Sequence, residues 1–167
     1  MKIQTETIKE LREQSGAGIM ECRNALIAAE GSIEKAIDIL KEQSLVKVEK
    51  KKNRIAAQGI IESYIHTGGQ IGAMVELNCE TDFVARTPEF KELAHNIAMQ
   101  IAAMSPECVA AENIPEGSDL DPKSAALLLQ AYIKDPTLSI LDIINQTIAK
   151  VGENIKISRF ARFEIGD

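Results

Sequence analysis

GIIESYIHTGGQIGAMVELNC, Gly59–Cys79, is the stretch on which the fold turns. Two runs rich in Ile and Val flank Thr67-Gly68-Gly69-Gln70. Gly-Gly between such runs signals a β-hairpin, because glycine supplies positive φ at little steric cost. Immediately after it, NCETDFVAR (Asn78–Arg86) leads from strand alternation into helical spacing. Thr87 reads as an N-cap and Pro88 as a first-turn residue whose missing donor costs little. Phe90, Leu93, Ala94, Ile97, Ala98 and Ile101 then form one apolar helical stripe.

Upstream of the hairpin the pattern predicts three short helices. Thr5 or Thr7 caps the first, with Ile8 and Leu11 on its apolar face, and SGAG (Ser15–Gly18) breaks it. The second carries Ile19, Cys22, Ala25, Leu26 and Ala29. Gly31 suits a left-handed C-cap, and Ser32 caps a third helix built on Ile33, Ala36, Ile37 and Leu40. LVKVEKKKNR (Leu45–Arg54) follows with five basic residues and reads as a solvated linker or a helix extension. It lacks the interleaved aromatics on which an RNA-binding patch would stack bases.

Downstream, SPECVAAENIPEGSDLD is loose, and Asp121-Pro122 reads as the start of a helix through SAALLLQAYI. Asp135-Pro136 suggests a turn, SILDIINQTIAKVG a helix ended by Gly152, and NIKISRFARFEI a returning strand. On that strand Ile155, Ile157, Ala161, Phe163 and Ile165 are expected mostly on one face and Phe160 on the other. The fold class is α+β: a three-helix domain at 1–54, then a 55–167 core with a small antiparallel three-stranded sheet packed against helices. A sheet this small has edges and an open face that invite pairing with another chain.

Composition narrows the function. The 167 residues suffice for one ordinary domain or for a small and a modest one. Hydrophobic residues make up 45% but aromatics only 4%, so the core rests on Ile, Leu, Ala and Val. A net charge of −6 argues against nucleic acid as the main ligand, since phosphate binding needs a cationic surplus. Cys22, Cys79 and Cys108 have neither metal-ligand spacing nor an even count, which suits a reducing cytoplasm. The N-terminus has no apolar segment of the signal-peptide kind, and no apolar run approaches the roughly 18 residues of a membrane span.

No catalytic constellation stands out. The best candidate pairs Cys79 with His66, which the hairpin is expected to bring near each other, but a hydrolase also needs an oriented base and an oxyanion hole. Glu80 and Asp82 read as solvated acids, and His95 as a residue on the polar side of its helix. Gly16–Gly18 before a helix lacks the preceding strand and the lysine of a phosphate loop, so a tight turn between helices is expected. No cofactor or metal is implied. At the Asp82-Phe83 turn two readings remain open. Phe83 and Val84 tuck beneath the next helix while Thr81 and Asp82 cap it, or Phe83 projects as an apolar anchor with Asp82 beside it.

ELNCETDFVAR (Glu76–Arg86) resembles a signature of the bacterial elongation factor Ts family, guanine-nucleotide exchange factors for elongation factor Tu. LREQSGAGIMECRNAL (Leu11–Leu26) is similar to the family's other signature, with Ser15 where Thr is typical and Arg23 where Lys is typical. HTGGQIGAMVELN and VGENIKISRFARFEIG extend the resemblance to nearly the whole chain. It implies a ubiquitin-associated-like N-terminal domain, and Thr81, Asp82, Phe83 and Val84 pressing on elongation factor Tu near its magnesium site. Leu11, Arg12, Ile19 and Met20 would lie where the N-terminal domain docks on the partner, in its GDP-bound and nucleotide-free forms. It implies the short form of the family, a homodimer joined through the core sheets, with Phe160 and Phe163 contributing. Such a factor is cytoplasmic, breaks no bond and is not an enzyme; the expectation from another class is a binding adapter without exchange activity.

Overall fold

The computed structural model describes residues 3–166. The chain divides into two compact units, Met1–Lys52 and Asn53–Asp167. In the first, helices α1 (Thr5–Ser15), α2 (Ile19–Ala28) and α3 (Ile33–Lys51) enclose Leu11, Cys22, Ala25, Leu26, Ala29, Ala36 and Leu40. Gln4 rather than a threonine occupies the N-cap of α1, with no side-chain cap. Gly16 ends α1 in the left-handed region at φ 67°, and Ser32 caps α3 by accepting from Lys35 N–H. The basic stretch read as a linker continues α3 to Lys51. Straight-chain lysines are good helix formers, and those near its C-terminus favour the helix dipole.

The second unit is built on β1 (Gln58–Ile65), β2 (Ile71–Cys79) and β5 (Lys156–Glu164), antiparallel in the order β1-β2-β5. Between them lie α4 (Asp82–Ala85), α5 (Pro88–Met104), α6 (Pro122–Ala125), the short strands β3 (Ala131–Tyr132) and β4 (Asp135–Ser139), and α7 (Ile140–Val151). Helix α5 lies on one face of the sheet, and α7 packs against α5. Ala73, Val75, Leu77 and Cys79 of the central strand are buried on the α5 side, as are Phe90, Ile97 and Ile101 of the helix. The β1–β2 pair is tight at Gly59, where a Cβ would stand 2.1 Å from the Leu77 carbonyl oxygen.

The last strand departs from simple alternation. The β2–β5 register shifts between Glu76 and Leu77, so Glu76 faces Arg159 and Leu77 faces Ile157. Ser158 is the extra residue, and one extra residue moves every later side chain to the opposite face. Ile157 and Phe160 therefore share the covered face, opposite Leu77 and Val75, while Ala161 and Phe163 lie on the outer face, opposite Met74 and Gly72. The expected single apolar face running from Ile155 to Ile165 is corrected by this bulge.

The stretch expected as a helix through SAALLLQAYI is also different. Helix α6 stops at Ala125, a 3-10 turn spans Leu127–Leu129, and β3 and β4 form a hairpin. The turn falls at Ile133-Lys134, and Pro136 lies within β4, in a two-stranded ribbon where its missing N–H is tolerated. Two buried glutamines explain the change. Gln100 of α5 donates to Gln130 Oε1 (3.2 Å) and the Ala131 carbonyl (3.0 Å), and accepts from Ile133 N–H (3.0 Å). Gln130 in turn donates to the Ser124 carbonyl at 2.6 Å. A continuous helix would place these backbone groups elsewhere and leave Gln100 buried without partners, at a cost of about 1–3 kcal/mol per orphaned group. Gln100→Leu should accordingly lower stability by about 2–4 kcal/mol. A denaturant melt showing a loss below about 0.5 kcal/mol would remove the glutamine pair as the reason for the β3–β4 hairpin.

Candidate functional site

At the end of the buried central strand the chain turns into α4, and the residues of that turn are exposed to very different degrees. Thr81 is the N-cap of α4, its hydroxyl accepting from Val84 N–H at 3.4 Å. Phe83 is 78% exposed, the reverse of tucking under the next helix. Val84 and Asp82 are partly buried, and Ala85 is the residue of α4 that enters the core. Asp82 Oδ2 pairs with Arg86 Nη2 at 2.7 Å across one helical turn, an exposed pair of the kind that contributes little stability.

The turn is anchored from the loop before β5. Glu153 Oε2 accepts from Glu80 N–H (3.1 Å) and Thr81 N–H (2.9 Å), and Glu153 Oε1 accepts from the Thr81 hydroxyl (2.7 Å). In return Asn154 N–H donates to Glu80 Oε1 at 2.7 Å. The Arg54 guanidinium stands 3.6 Å from the same oxygen, and Asn154 Nδ2 donates to the Arg54 carbonyl at 2.8 Å. Glu80 and Asp82, read as one solvated acidic pair, therefore have separate roles: Glu80 closes this network and Asp82 faces outward to Arg86.

In the N-terminal unit the other signature residues divide in the same way. Ile19 and Met20 at the start of α2 are 55% and 59% exposed, and Arg12 is exposed on α1. Leu11 is wholly buried in the three-helix core, so it presents no surface and its role is to hold those helices together. The Gly16–Gly18 stretch is a turn between helices: Gly18 N–H donates to Glu21 Oε2 at 3.2 Å, so a carboxylate of the chain already takes this helix start. Glu21 also bonds Lys47, and the ammonium holds its carboxyl below the usual carboxylate range. Ser15 donates to the Leu11 carbonyl at 2.6 Å and accepts from Ala17 N–H, bonds that a threonine hydroxyl also makes.

A family model described as Elongation factor TS matches residues 2–121, taking in α1–α5, β1 and β2 and ending before α6. The elongation factor Ts of Desulfosudis oleivorans is 44% identical over 99% of this chain and 98% of its own length. That of Caldanaerobacter subterraneus subsp. tengcongensis is 46% identical over 99% and 98%, and that of Thermotoga neapolitana 43% over 100% and 99%. The chain belongs to the elongation factor Ts family. As a member of elongation factor Ts, it is a translation elongation factor.

The structure separates the pair considered for catalysis. In the β1–β2 register Cys79 faces Gln58 and Gly72 faces Ile65, so His66 and Cys79 lie at opposite ends of the hairpin. Eight residue steps along the strands hold them roughly 26 Å apart. His66 instead bonds Tyr64 at 3.0 Å, and His95 has a partner that helical spacing did not indicate, Glu62 Oε1 at 3.1 Å. Among the described residues no group of His, Cys, Asp and Glu is placed to hold a metal ion, and no helix is long and apolar enough to cross a membrane.

Sequence reasoning missed Glu153. It lies 72 residues beyond Thr81, and a lone glutamate after a helix-ending glycine carries no local signal. Its charge does register on Cys79. Burial pushes that thiol up, the Glu153 carboxylate adds to the effect, and the Sγ donates to the Thr81 carbonyl at 3.1 Å. At neutral pH Cys79 should therefore react with an aromatic disulfide reagent far more slowly in the folded chain than after denaturation. Equal rates in the two states would contradict its burial behind the turn.

Proposed function

We propose that this chain binds GDP-bound and nucleotide-free elongation factor Tu and accelerates GDP release, with Phe83 as the apolar wedge. The observation that carries the reading is a phenylalanine almost four-fifths exposed on a helix start that is tied down on its other side. A soluble protein has no reason of stability to hold its largest apolar side chain type in water, whereas a docking surface needs such an anchor. Thr81 and Val84 shape the base of the wedge, and Asp82 puts a negative charge beside it. Ile19, Met20 and Arg12 supply a second, separate contact.

The chemistry is linkage. GDP is held on its partner largely through magnesium and phosphate-binding backbone, so displacing the elements around the metal speeds release. Factor and nucleotide each weaken the other's binding by the same factor. Exchange is then accelerated in both directions, and the nucleotide supply decides which one fills the site. No bond is broken, so the protein is an exchange factor rather than an enzyme. It needs no cofactor of its own, works in the cytoplasm, and has no nucleic acid as a direct ligand.

The outer sheet face supports a homodimer. Ile61, Ile65, Met74, Phe163 and Ile165 are all exposed, and several of them line a shallow apolar groove with Gly72. Phe163 is placed to contribute, while Phe160 lies on the covered face and does not. Light scattering at micromolar concentration should give twice the chain mass, and Phe163→Glu should return it to one. A parent chain of single mass would end the dimer proposal. Stopped-flow release of a fluorescent GDP from bacterial elongation factor Tu tests the exchange reading. The parent chain should accelerate release, and Phe83→Ala should lose about tenfold or more of that effect, or about 1.4 kcal/mol. Binding without acceleration by the parent would leave only an adapter.

A further inference from the structure

We infer that Glu153 is a positioning residue for exchange, acting on the partner only through Phe83 by holding the turn that carries it. The inference rests on the exchange reading above. Helix α4 has four residues, too few to be stable by its own hydrogen bonds. Phe83 has so little packing that the backbone of α4 is what limits where its ring can reach. Thr81 fixes that backbone by capping it, and Glu153 fixes Thr81.

The grip is unusually complete for one side chain. Both oxygens of Glu153 are used: one takes the two consecutive N–H groups of Glu80 and Thr81, and the other takes the hydroxyl that caps α4. Hydrogen bonds to an ionised carboxylate are about twice as strong as neutral ones. The sister bond from Asn154 N–H to Glu80 returns from the same loop, so the two segments hold each other at both ends. A wedge that swivels must be ordered at each docking event, and small misplacements of a working group cost heavily in rate. Docking itself also draws on the N-terminal unit, whose exposed Ile19 and Met20 are untouched by this network. Loss of Glu153 should thus appear in the rate at saturation rather than in the concentration needed to reach it.

Glu153→Gln keeps the size of the side chain but replaces one acceptor oxygen with an amide nitrogen and removes the charge. With the full chain and stopped-flow release of fluorescent GDP from bacterial elongation factor Tu, it should lower the saturating rate about tenfold. The half-saturating concentration should stay within about twofold. In a Phe83→Ala background the same change should cause no further loss, the non-additivity expected of residues that act as a unit. In the free chain, amide hydrogen exchange at Glu80 and Thr81 should quicken, while the thermal midpoint falls by only about 2–4 °C. Equal losses in both backgrounds would show that Glu153 acts apart from Phe83 and overturn the inference. So would an unchanged saturating rate, or unchanged amide exchange. If Glu153→Gln does not fold, Glu153→Asp, which keeps the charge but draws the carboxylate back from Thr81, takes its place in the same cycle with the same outcomes. A parent chain that fails to accelerate release sinks the exchange reading itself, which the parent control separates from failure of the positioning role.

Discussion

Two glutamates, each accepting backbone N–H from the other's segment, close the end of the sheet. Glu153 takes the N–H groups of Glu80 and Thr81, and Glu80 takes that of Asn154. The bonds join the exit of the central strand to the entry of its neighbour β5. Everything at this end depends on that closure. A buried strand that runs into a turn leaves N–H groups without ladder partners, and orphaned donors are expensive. Here carboxylates satisfy them, which stiffens the turn and leaves its far side free to face solvent.

The two faces of the sheet are divided by the same strands. On the α5 side, Ala73, Val75 and Leu77 are sealed beneath Phe90, Ile97 and Ile101. On the other side Met74, Phe163 and Ile165 stand open. The bulge at Ser158 makes this possible, because it lets β5 turn Ile157 and the half-buried Phe160 to the covered face and then Phe163 to the outer face. Glu76 and Arg159, paired at 2.7 Å on the outer face beside the bulge, mark where the apolar surface ends. An edge-limited sheet with one greasy face is a surface that natural proteins cover or pair.

How much of this was legible followed the range of the interactions. The β1–β2 hairpin, the cap and stripe of α5 and the three N-terminal helices depend on neighbours a few residues away, and their periodicity appears in the chain itself. The segment from Ala126 to Ser139 is dictated by Gln100, some thirty residues back, so Leu127–Leu129 reads as part of a continuous α-helix and is a single 3-10 turn before a hairpin. Alternation along β5 failed at one inserted residue, which no local pattern distinguishes from a continuous strand. At the site, Thr81 to Val84 could be located because capping and resemblance both point there. Spacing left two directions open for Phe83, and what holds the turn outward lies more than seventy residues away.

These features also account for the division of labour along the turn. Ala85 enters the core, Thr81 is bonded on both its nitrogen and its hydroxyl, and Phe83 between them is left bare. If the ring were packed it would add burial energy, about 1.5–3 kcal/mol for a side chain of this kind. Leaving it exposed forgoes that stabilisation, and the polar network around Thr81 offsets the loss by fixing the backbone without using the ring. An aromatic side chain has only two torsions to order, so with its backbone fixed it meets a partner at small entropic cost. A ring carried this way is preorganised: the rigidity of its backbone is supplied before any contact rather than drawn from the contact itself.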